Sequence, residues 1–88
     1  MMSMQTTTPP KHLVAPVLGA LKANDEVDCF QALLNLSDWA KENTVEKVTL
    51  TVEESLHEDL TRRISVLKKK GHLPETLTIT LVATSKPL

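Results

Sequence analysis

The chain has 88 residues, with 10 Lys and Arg against 11 Asp and Glu, for a net charge of −1. That length fits one domain, and that balance excludes a bulk attraction to nucleic acid or to an anionic membrane. A hydrophobic share of 41% excludes wholesale disorder, and no apolar run approaches the roughly 20 residues of a membrane span.

Phe30 and Trp39 are the only aromatics, so the core must be built from Leu, Val and Ile. The lone Cys29 excludes an intrachain disulfide framework and fits a reducing, cytoplasmic compartment.

In chain order, residues 1–11 are polar and turn-prone and read as a flexible N-terminal arm. Residues 12–84 read as a single α+β domain, and residues 85–88 as a frayed tail. Lys11 and His12 precede an apolar run that Pro16 and Gly19 interrupt, with no small-x-small cleavage site after it, so no secretory leader is expected. His12 to Ala23 instead reads as a short helix with Pro16 in its first turn. Leu13, Val14, Val17, Leu18 and Leu21 leave it little polar surface, so it must be covered on most sides. Gly19 and Ala23 share the small-xxx-small spacing, for which chance is the favoured explanation.

Asn24 or Asp25 caps a longer helix over about Glu26 to Glu42, with Asn43 as its left-handed stop. Asp28, Gln31, Asn35, Asp38 and Glu42 fall on one narrow strip. The rest of the circumference is apolar, about twice the roughly 100° stripe that one packing contact needs. The first helix can cover part of that excess, and a partner chain the remainder. Val27, Phe30, Leu33, Leu34 and Trp39 are the candidate interface residues.

From Val45 onward the period changes to two. Val48, Leu50 and Val52 alternate with threonines, as do Leu77, Ile79, Leu81 and Ala83. Between these strands Leu56, Leu60, Ile64 and Leu67 form one helical stripe. Ser55 is the preferred helix cap, with Thr51 the alternative, and Gly71 is the left-handed stop. Two adjacent strands joined through a helix are expected to be parallel, with a right-handed crossover. The expected architecture is therefore a small two-layer α+β domain in the order α-α-β-α-β. Helices pack on one face of a small sheet, and the sheet is extended edge to edge by dimerisation.

The search for chemistry is mostly negative. Two glycines cannot build a phosphate-cradling loop. His12, His57, His72 and Cys29 are scattered without metal-ligand spacing, and no cofactor is expected. Cys29 lies on the apolar side of its helix, where a buried, inert thiol is the default. No catalytic residue is assigned and no enzymatic role is expected. His72, just past the helix stop, can hydrogen-bond the last carbonyls.

One charge feature remains: Arg62, Arg63, Lys68, Lys69, Lys70 and His72, a basic helix end that could meet phosphates. Its bland counterpart is a solvated face, with Glu58–Arg62 and Asp59–Arg63 as i,i+4 pairs and the lysines complementing the helix dipole. VEKVTLTVEESLHEDL loosely resembles the strand and first helix of ribbon-helix-helix repressors. DLTRRISVLKKKGHLPETLTITL loosely resembles a winged-helix recognition helix running into its wing. The first family needs a helix where this chain has TLTITLV, and the second needs a helix where it has a strand, so no membership follows. The expectation is a non-catalytic, homodimeric protein-interaction module with an unidentified protein partner and no membrane partner. The alternative is a nucleic-acid-binding regulator using the basic helix end.

Overall fold

The computed structural model describes residues 6–85 and has the expected α+β architecture. Two seven-residue strands, β2 (Lys47–Glu53) and β3 (Thr78–Thr84), run parallel with Lys47 opposite Thr78 and Glu53 opposite Thr84. The helices are α1 (Lys11–Lys22), α2 (Glu26–Glu42) and α3 (Glu54–Lys69).

A short strand absent from the sequence reading, β1 (Thr6–Thr7), pairs parallel to Lys47 and Val48 on the far side of β2. Part of the segment expected to be a flexible arm is therefore sheet, and Pro9 behind it is buried. Residues 1–5 of that arm and 86–88 of the expected tail lie outside the described residues. β2 is the central strand, and Val48, Leu50 and Val52 are each at most 1% exposed. Leu50 and Val52 meet Leu60 and Ile64 of α3, Leu33 and Leu36 of α2, and Val17 and Leu21 of α1 in one core.

All three helices end the same way. The residue after the C-cap turns left-handed, and its own N–H and that of the next residue reach back to the last-turn carbonyls, a Schellman closure. In α1 this residue is Asn24 (φ 53°), with Asn24 N–H donating to Leu21 O and Asp25 N–H to Ala20 O. In α3 it is Gly71 (φ 81°), as its lack of a Cβ predicts. In α2 it is Thr44 (φ 55°), one residue beyond the expected Asn43. Val45 N–H donates to Ala40 O at 2.8 Å, and the Asn43 side-chain amide donates to Trp39 O at 2.8 Å. The backbone geometry of the closure outweighs the intrinsic preference of Asn for this conformation, and it delivers Val45 to the cluster of Ala40, Val48 and Leu77.

Asp25, one of the two expected candidates, caps α2, its carboxylate accepting from Asp28 N–H at 3.0 Å. The helix starts differ from expectation in two places, at α3 and at Pro16. α3 uses neither Ser55 nor Thr51: Glu53 is both the last residue of β2 and the N-cap, and no side chain caps this turn. Strand passes into helix without a loop, so the junction is set by Glu53's extended backbone and its salt bridge to Lys22 at 2.8 Å. Pro16 lies well inside α1, whose first residue is Lys11, and not in its first turn. It is exposed, so its ring points away from the core while its missing N–H leaves the ladder one donor short. A Cβ on Gly19 would meet nothing within 4 Å, so the Gly19/Ala23 spacing marks no close helix approach.

Candidate functional site

Two surface features stand out, a cleft between α2 and α3 and the outer edge of β3. The cleft forms because the first turns of α2 lie beside the last turns of α3. Its volume is about 510 Å³, within the roughly 300–1,000 Å³ usual for ligand sites. Cys29, Leu33 and Leu67 line its apolar interior, with Phe30 beside them, and Val27 and Val66 stand at its mouth. Val27 is 75% exposed and Val66 42%. These are two of the three exposed large apolar residues among those described, and both line this one cleft.

The polar lining is mainly basic: Arg62, Arg63, Lys70 and His72, with Glu26. Arg62 donates to Asp59 at 2.6 Å and Arg63 to the same carboxylate at 3.1 Å. The Arg63 pair is the expected one. Arg62 turns to Asp59 rather than to Glu58, so one carboxylate orients both guanidinium groups. The His72 ring packs edge-on against Phe30, with centroids 5.2 Å apart and planes at 75°. It is the backbone N–H of His72, not its ring, that satisfies a helix-end carbonyl, that of Leu67 at 2.9 Å. Cys29 is 1% exposed, and burial pushes its thiol up from the ordinary 9.0, opposed in part by the positive charge of Arg63. A neutral thiol at physiological pH follows.

The two sets of candidate residues, drawn up as rivals, thus meet. Val27, Phe30 and Leu33 share the cleft with Arg62, Arg63, Lys70 and His72, while Lys68 and Lys69 do not line it. Leu33 cannot act as an interface residue, because it is 1% exposed and belongs to the core. Leu34 and Trp39 are half-buried and pack against the core. The apolar excess on α2 is mostly covered within the chain, because α1 and the sheet bury Ala32, Leu33, Leu36 and Ala40. A sequence reads the width of an apolar face but not which neighbours share it. Among the described residues, no group of three or more His, Cys, Asp and Glu is placed to hold a metal, and no helix is long and apolar enough to cross a membrane.

The edge of β3 is the second feature. Thr78 N–H donates inward to Glu46 O at 2.8 Å. In a parallel ladder alternate residues bond the same neighbour, so the backbone N–H and C=O of Ile79, Leu81 and Ala83 point outward. No described strand pairs with them. The strand reads TITLVAT, with no charge, Pro or Gly, and so lacks the usual safeguards of an exposed edge. Val82 is 46% exposed, and Ile79 and Leu81 remain half-buried.

Compared with protein-family models, with curated proteins and with solved structures, the chain finds no match in any of the three.

Proposed function

We propose that the protein is a non-catalytic, cytoplasmic interaction module that acts as a homodimer, joined through β3. The observation that carries this reading is the uncharged seven-residue edge of β3 with its outward backbone groups at Ile79, Leu81 and Ala83. A two-fold axis at Leu81 sets Leu81 against its own copy and Ile79 against Ala83. All are residues with outward-facing groups, and each such antiparallel pair exchanges two N–H···O bonds. The same axis sets Thr78 against Thr84 and Thr80 against Val82, so apolar meets apolar on the helix side of the sheet. The surface is self-complementary, as an isologous interface requires. The cytoplasmic assignment rests on the single buried thiol, Cys29.

Nucleic-acid binding by the end of α3 is the reading this displaces. The chain carries a net charge of −1, Lys68 and Lys69 stand apart from the cleft cations, and neither aromatic, Phe30 or Trp39, is fully exposed as a stacking platform.

Ala83→Pro tests the dimer, because it removes an outward N–H that β2 does not use. Sedimentation should show the variant as a monomer where the parent dimerises. A variant of unchanged mass would overturn pairing through β3. Replacing Lys68, Lys69 and Lys70 with Glu tests the displaced reading. A salt-sensitive nucleic-acid shift that is lost in this variant would reinstate it.

A further inference from the structure

We infer that the cleft between α2 and α3 binds an acidic segment of a partner protein, one with a bulky apolar side chain flanked by carboxylates. This rests on the interaction-module reading and names the kind of partner.

The apolar half of the argument is the position of Val27 and Val66. Both are exposed, both line one concavity, and the half-buried Phe30 lines it with them. Exposed apolar side chains scattered singly need no explanation, but two around one cavity of about 510 Å³ do. The charged half is the rim. Arg62, Arg63 and Lys70 line the cleft against a single acidic lining residue, Glu26. Asp59 fixes the two guanidinium groups in place, and Arg63 also donates to Asn24, without filling all their donors. An incoming carboxylate therefore meets donors that are already oriented, which lowers the ordering cost of binding.

The combination selects among ligand classes. A nucleic acid would use the cations and leave the apolar walls wet, and an aliphatic surface would use the walls and leave the cations unpaired. An acidic peptide with one large apolar anchor satisfies both, and charge complementarity would also hasten its encounter.

The experiment is a titration of the isotope-labelled full chain, followed by amide chemical shifts, with a short blocked peptide carrying phenylalanine and leucine between glutamates. The expected result is saturable shifts confined to residues 26–33 and 62–72. Val27→Glu and Lys70→Glu alter exposed side chains and should each weaken binding about tenfold or more, with the remaining spectrum unchanged. The same peptide with lysine for glutamate, an all-glutamate peptide and a short DNA duplex are run alongside. Absence of saturable shifts, an equal response to either control peptide, or tighter binding of the duplex to the same residues would each overturn the proposal. Neither variant touches β3, so a failure here leaves the solution mass unaltered and is distinguishable from a failure of the dimer.

Discussion

Arg63 joins two parts of the chain that lie 39 positions apart: its Nη2 donates to Asn24 Oδ1 at 3.1 Å. Its Nε donates to Asp59 at 3.1 Å, and its side chain is only 18% exposed. Asn24 is the left-handed residue that closes α1, so one guanidinium fastens the α1–α2 turn to α3 beside the cleft that Arg63 lines.

Replacing Arg63 should therefore destabilise the fold and not merely alter its charge. Arg63→Ala is expected to cost about 1–2 kcal/mol through the loss of its charge-assisted pair with Asp59, its hydrogen bond to Asn24 and the packing of its partly buried stem. Arg63→Lys should recover little, because an ammonium on a flexible stem cannot hold both acceptors in this geometry. Urea unfolding measures both. An unchanged midpoint in the alanine variant would show the bridge to be inconsequential.

Thr44 occupies a left-handed position that favours glycine. Thr44→Gly should raise stability by about 1 kcal/mol, despite the added freedom of the unfolded chain. The comparison is one of thermal midpoints, and a fall in midpoint would mean that the threonine side chain makes contacts outweighing its backbone strain.

α1 carries two residues that suit helices poorly. Pro16 and Gly19 are both exposed, and the space around Gly19 is open. Pro16→Ala should stabilise by about 1–3 kcal/mol through a restored N–H to His12 O, and Gly19→Ala by about 0.5–1 kcal/mol. Denaturant midpoints test each. Destabilisation by Pro16→Ala would indicate that the fold depends on the local shape that proline imposes on α1.

How far the sequence discloses this molecule depends on whether a feature is local. The threonine alternation locates β2 and β3, and the Leu56–Leu67 stripe locates α3, because each pattern is written in the periodicity of its own residues. Asp25 as a cap and Gly71 as a stop are legible for the same reason. β1 is not, since two threonines carry no period and become a strand only through the edge that Lys47 and Val48 offer. Thr44 in place of Asn43 is set by the backbone geometry of the closure, which delivers Val45 to its cluster. The cleft is half legible: its apolar and basic residues both stand out along the chain, but only the fold, which sets the first turns of α2 beside the last turns of α3, brings them together. That Leu33 lies beneath the cleft and not on an interface could not be read from helical phase alone.

Burial of Cys29 has a consequence for pH. Its thiol is raised above its ordinary 9.0, first by desolvation, and the charge of Arg63 opposes this in part. Below that value both folded and unfolded chains keep the proton, and the group gives stability no pH dependence. Above it the unfolded chain ionises first, so stability falls as pH rises from about 9 toward the folded-state value. A Cys29→Ala variant should lack this component. The stability advantage of the parent over the variant should therefore shrink above that pH in matched urea titrations. A constant advantage would contradict the assigned direction.

The claim on which the functional account turns is the pairing of β3 with its own copy. Sedimentation equilibrium of the full chain, run into the high micromolar range, tests it most directly. The account predicts a mass rising toward twice the 9.7 kDa of the chain, and a return to the single-chain mass when Thr80 and Val82 are both replaced by Lys, which gathers four like charges about the two-fold axis. A parent that holds the mass of one chain at every concentration would contradict it.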